Sequence, residues 1–155
     1  MKNIILSTVL GVTSLVAMAA HAGGSDSKQF KVKLTVAESC QITTANDVDF
    51  GSIDRSQNPD LTSKGNLGVN CTLGTPYKIA LAGNGKMSNT NNSGEAVPYQ
   101  LFQDSNYETI WNTNSLAGGV GSGSVQNLPV YAQLDGMTNV SAGQYIDTVV
   151  ATVTY

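Results

Sequence analysis

Gln29-Phe30-Lys31-Val32-Lys33-Leu34-Thr35-Val36-Ala37 alternates without a break, with Phe30, Val32, Leu34 and Val36 on one face and Lys31, Lys33 and Thr35 on the other. Successive side chains of an extended chain point to opposite faces, so a period of two predicts a strand with one apolar face. A second stretch matches it at the far end, where Val149, Ala151, Val153 and Tyr155 alternate against Val150, Thr152 and Thr154. That pattern runs to Tyr155 with no turn signal after it. A sandwich lacking its last strand would leave an apolar groove and two unpaired edges, a hazard that monomers normally avoid. A spare alternating strand is what would fill such a groove in a neighbour. The alternation at 29–37 fits a strand of the chain's own sheet equally well, and periodicity leaves both readings open.

Upstream, Gly23-Gly24-Ser25-Asp26-Ser27 is a flexible leader, and residues 1–22 read as a secretory signal. Lys2 gives the positive start, residues 4–20 the apolar run, and Ala20-His21-Ala22 the small-x-small cleavage pattern. Removing the 22-residue signal from the 155-residue chain leaves 133 residues, enough for one domain with a modest core. Processing removes the only histidine, His21, and leaves seven basic against 11 acidic residues. With Arg55 as the sole arginine, there is no basic patch for a nucleic-acid backbone. No membrane span is expected in the processed chain. In an exported protein the two cysteines, Cys40 and Cys71, are expected to form one disulfide. It would close a loop of about 30 residues and contribute on the order of 3–4 kcal/mol.

Beyond the leader no dozen residues repeat apolar groups at three and four, so helices are not expected. Short β-rich runs appear at 41–44, 48–51, 66–72, 77–82, 97–103, 108–111, 126–134 and 143–155. Residues 83–94, rich in Gly, Asn and Ser, read as a long hairpin or loop, and 116–124 as a Gly-Ser-rich loop. Seven or eight short strands with such punctuation predict an all-β, immunoglobulin-like sandwich.

Catalytic chemistry finds little footing. With no histidine after processing, a serine lacks its usual base. Asp47, Asp49, Glu95, Asp104 and Glu108 show no recognisable pairing of acid and base, so no enzyme is expected. A carbohydrate-binding or adhesive module is the alternative from another class. Trp111, flanked by Asn112 and Asn114, could stack on a sugar, and Asn89-Thr90-Asn91-Asn92 could offer oxygens to calcium. A core tryptophan and a solvated turn are the simpler readings of the same residues.

One resemblance covers nearly all of the chain after the signal. Phe30 to Val36 leading to Ser39-Cys40, Val48-Asp49-Phe50-Gly51, Val69-Asn70-Cys71-Thr72, Gly74-Thr75-Pro76-Tyr77 and Ile79-Ala80-Leu81 follow one another in order. They continue with Tyr99-Gln100-Leu101-Phe102-Gln103-Asp104, Trp111, Leu128-Pro129-Val130-Tyr131, Gly143-Gln144-Tyr145, Asp147-Thr148-Val149 and Val153-Thr154-Tyr155. This set resembles the spore coat protein U family, whose members include pilins of archaic, Csu-type chaperone–usher pili. The resemblance implies an incomplete immunoglobulin-like sandwich lacking its last strand. It also implies a periplasmic chaperone that lends a strand, and an outer-membrane usher that replaces it with the N-terminal segment of the next subunit. Phe30, Val32, Leu34 and Val36 would then be the donor side chains, and Val149, Ala151, Val153 and Tyr155 the wall of the acceptor groove. The implied product is a structural subunit of a cell-surface fimbrium serving adhesion or biofilm, exported through the periplasm, with other pilin subunits as partners and no cofactor. The implied layout is signal 1–22, leader and donor strand 23–38, and sandwich 39–155. Asn112-Thr113-Asn114 after the tryptophan and Tyr131-Ala132 depart from the commonest family pattern.

Overall fold

The computed structural model describes residues 23–54, 61–92, 94–136 and 139–155. The signal read at residues 1–22 lies outside the described residues. Contacts divide the chain into Met1–Thr35 and Val36–Tyr155, and every described strand belongs to the second unit. These are β1 (Cys40–Asn46), β2 (Thr62–Cys71), β3 (Pro76–Ala82), β4 (Lys86–Asn89), β5 (Ala96–Phe102), β6 (Ala117–Val120), β7 (Val125–Leu134), β8 (Tyr145–Ile146) and β9 (Val150–Thr154). They form a six-stranded sheet, β1-β2-β7-β5-β4-β8, and a three-stranded sheet, β6-β3-β9. All pairs are antiparallel.

The core draws on both sheets. Leu67, Val69 and Cys71 of β2, Tyr77, Ile79 and Leu81 of β3, Val130 of β7 and Trp111 form one buried cluster. Their spacing of two puts each set on one face of its strand, and full burial of such a side chain stabilises by about 1.5–3 kcal/mol. Trp111 completes the cluster, with its indole Nε1–H donating 2.9 Å to the Ile79 carbonyl. A buried indole needs that partner, so the tryptophan is a core residue with its polar atom satisfied. A smaller cluster of Val97, Tyr99 and Leu134 lies beside it.

Several strand expectations are corrected. Residues 48–51 form no strand, because Asp49 Oδ1 accepts the Gly51 amide and Gly51 adopts a φ of 71°, which folds the chain into a turn. The tract 83–94, expected as a hairpin or loop, contains the strand β4, and the expected loop at 116–124 contains β6. Both strands are short and poor in β-branched residues, so their pairing with β5 and β3 outweighs a weak local preference. Residues 108–111 contribute a single bridge, Ile110 opposite Phe102. The run 143–155 is two strands in different sheets, with Asp147 at the break. Residues 29–37 take no strand pairing among the described residues.

Candidate functional site

Among the described residues, each sheet ends on a strand whose outer edge lacks a partner. β9 pairs with β3 along Lys78↔Thr154 to Ala82↔Val150, and no described strand lies on its other side. β1 pairs with β2 from Cys40↔Cys71 to Asn46↔Asn66, and its other edge is likewise free among the described residues. A cavity of about 770 Å3 takes lining residues from both strands, Ile42 and Ala45 of β1 and Ala151 of β9. Its floor is apolar, made by Leu67, Leu81, Leu101 and Val130. Residues 46–50 and 144–149, with Met87 and Tyr99, complete its lining.

The expected groove residues fall unevenly around this cavity. Val149 and Ala151 line it. Val153 is half-buried against the main core but is not among the lining residues, and Tyr155 is 59% exposed. Phe30, Val32, Leu34 and Val36 are 87%, 88%, 87% and 71% exposed, an unusual state for four apolar side chains in phase. The disulfide joins Cys40 to Cys71 across the first pair of β1 and β2, with Cα atoms 4.0 Å apart. It therefore pins the start of the strand that walls the groove.

Sequence reading missed the residue that shapes the groove's other border. Asp147 Oδ2 accepts the Tyr99 hydroxyl at 2.7 Å and the Asn84 amide at 2.9 Å. Its Oδ1 accepts Asn84 Nδ2 at 2.8 Å and the Thr148 amide at 2.9 Å. This fastening turns the chain between β8 and β9, so that one follows the large sheet and the other the small. Gly83 permits the approach, since a Cβ there would sit 2.9 Å from Val149 Cγ2 and 3.0 Å from the Tyr99 hydroxyl. Burial alone would raise the Asp147 carboxyl, but the bonds from Tyr99, Asn84 and Thr148 outweigh it and hold the group below its ordinary value. Burial, with the adjacent Asp147 bond and charge, pushes the Tyr99 phenol well above its own range. The sequence signals were the Asp147-Thr148 pair interrupting an otherwise apolar alternation and the place of Asp147-Thr148-Val149 among the motifs of the family resemblance, neither of which assigned it a role.

The other chemistry-bearing candidates have structural partners. Asp104 accepts the Asn106, Glu108 and Thr109 amides, which lower its carboxyl and close the 104–109 loop. Glu95 accepts Ser141 and Tyr145. Asn89 Oδ1 turns inward onto the Asn91 and Asn92 amides. Trp111, 2% exposed, offers no face to a sugar.

The model of the Spore Coat Protein U domain matches residues 26–152. The chain belongs to the Spore Coat Protein U domain family. This spore coat protein U chain is also similar in fold to a chain of the CsuC–CsuE chaperone–tip adhesion subunit pre-assembly complex, from archaic chaperone–usher Csu pili of Acinetobacter baumannii. The identity is 24% and the TM-score 0.55, over 78% of this chain and 40% of that one. This chain thus spans about 40% of the solved chain's length. A chain of a chaperone–tip adhesin complex studied in CFA/I fimbriae biogenesis matches at 16% identity over 76% of this chain and 42% of that one. Its TM-score of 0.38 is too low to carry an argument. No curated protein matches the chain.

Proposed function

We infer that this chain is a structural subunit of a surface pilus, exported through the periplasm and polymerised by donor-strand exchange. In this reading residues 30–36 of one copy enter the groove between β1 and β9 of the next. A periplasmic chaperone fills the groove beforehand, and an outer-membrane usher carries out the exchange. The observation that carries the reading is a pair of complementary defects. A cavity with an apolar floor is bordered by two strand edges that are free among the described residues, and an alternating apolar segment takes no strand pairing there. Adding a strand to such edges gains backbone hydrogen bonds from both sides and burial from alternate side chains. Four apolar side chains at about 1.5–3 kcal/mol each give a gross gain on the order of 6–12 kcal/mol. Ordering the segment costs part of that gain. Family membership and the likeness in fold to a pilus component support the same reading.

Leu34→Asp tests it. Leu34 is 87% exposed in the single chain, so the substitution should leave the melting temperature of the monomer unchanged. Seated in a neighbour's apolar groove, the carboxylate would be desolvated without a partner, and polymerisation should fail. Polymerisation of the variant at the normal rate would remove residues 30–36 from the role of donor.

A further inference from the structure

The turn after β2 carries Leu73, 77% exposed, beside the point where the N-terminal segment joins the sandwich. Ser39, the last residue before β1, is fastened to that turn. Its amide donates to Thr72 Oγ1 at 3.1 Å, and the Thr72 amide donates to its carbonyl at 2.8 Å. The turn is tied again on its far side. Gly74 N donates to the Gly121 carbonyl at 2.8 Å, and Gly121 N to the Thr75 carbonyl at 2.7 Å. Val120, 57% exposed, lies opposite Pro76 on the same tie. An apolar side chain on a backbone already held in place loses little further freedom on docking, which favours an interface.

We propose that the Leu73 turn of one copy docks on the next copy of this chain, at the groove border around Ile146. This contact rests on the donor-strand reading and adds a second interface to it. Only Ala37, Glu38 and Ser39 separate Val36 from Cys40. The four steps from Val36 to Cys40 span at most about 14 Å when fully extended. Once residues 30–36 are seated in a neighbour, the Leu73 turn is therefore held close to whichever groove end receives Val36. Every strand pair among the described residues is antiparallel. A donated strand following that rule along β9 brings Val36 to the N-terminal end of β9. Ile146 borders the groove there and is 50% exposed. The contact joins two different patches, so it repeats head to tail from copy to copy, as a fibre requires.

Site-specific photo-cross-linking in fibres tests the contact. The variants Leu73→p-benzoylphenylalanine, its reciprocal Ile146→p-benzoylphenylalanine, and Thr35→p-benzoylphenylalanine on the donated segment are irradiated and the products mapped by mass spectrometry. The position-73 probe should link to residues 144–148 of another copy, the position-146 probe to residues 72–75, and the position-35 probe, which faces out of the groove on the seated strand, to the flanking strands β1 or β9 of a neighbour. If the position-35 probe links copies while the other two link none, or link near Tyr155, the contact is overturned and donor exchange stands. If no probe links copies, donor exchange fails and the contact fails with it.

Discussion

Asp147 is the residue on which the groove's geometry turns, and its role follows from four donors converging on one carboxylate. Asp147→Asn keeps the shape but replaces a charged acceptor, and one amide hydrogen bears on a donor. Hydrogen bonds to a charged group contribute about 1.5–3 kcal/mol each when well formed, and partial exposure reduces that here. A loss of about 1–2 kcal/mol is expected, read as a lower urea midpoint at pH 7. The same bonds hold the folded-state carboxyl below its reference value of 3.8. Their stabilisation is thus complete above the reference value and is lost as pH falls through the depressed folded value. The wild-type chain should lose stability over that acid window more steeply than Asp147→Asn; parallel slopes would contradict the assignment. Sequence reading reached Cys40, Cys71 and the core reading of Trp111, because compartment and residue type decide those. It did not reach Asp147, whose partners Tyr99 and Asn84 stand 48 and 63 residues away in sequence.

Among the elements, β1 matters most, since it walls the groove while pairing on one side only. The Cys40–Cys71 bond fixes its start to β2. Removing it with Cys40→Ser and Cys71→Ser together should cost about 2–5 kcal/mol. Hydrogen exchange should show that loss concentrated in residues 40–46, with β7 and β3 holding their protection. Uniform loss of protection would argue that β1 has no local weakness. β3 and β7, whose inward residues alternate cleanly, and β2 and β5, which alternate over part of their length, were legible because burial on one face imposes the period. β4 and β6 were not, because Lys86-Met87-Ser88-Asn89 and Ala117-Gly118-Gly119-Val120 have no such period and owe their extension to the strands beside them. The split of 143–155 was hidden for a related reason. Alternation records which face is buried, and both halves bury one face, in different sheets.

For the whole molecule, the sandwich class was open to reading from punctuation and period, whereas the groove was not. The groove is lined by β1 and β9, the first and last of the described strands. The two alternating terminal segments and the family resemblance were what pointed to it. The account joins these defects into one claim, that the sandwich is completed by residues 30–36 of another copy. A subunit truncated before Cys40 keeps every described strand and should fold with the groove unfilled. The measurement that addresses the claim most directly is its melting temperature with a synthetic peptide of residues 27–38. A ligand that binds only the folded state stabilises by about 2.7 kcal/mol at 100 times its dissociation constant. In a domain of this size that corresponds to a rise on the order of 10 °C. The account predicts such a rise with the native peptide and none with the Leu34→Asp peptide. An unchanged melting temperature at saturating native peptide would contradict it.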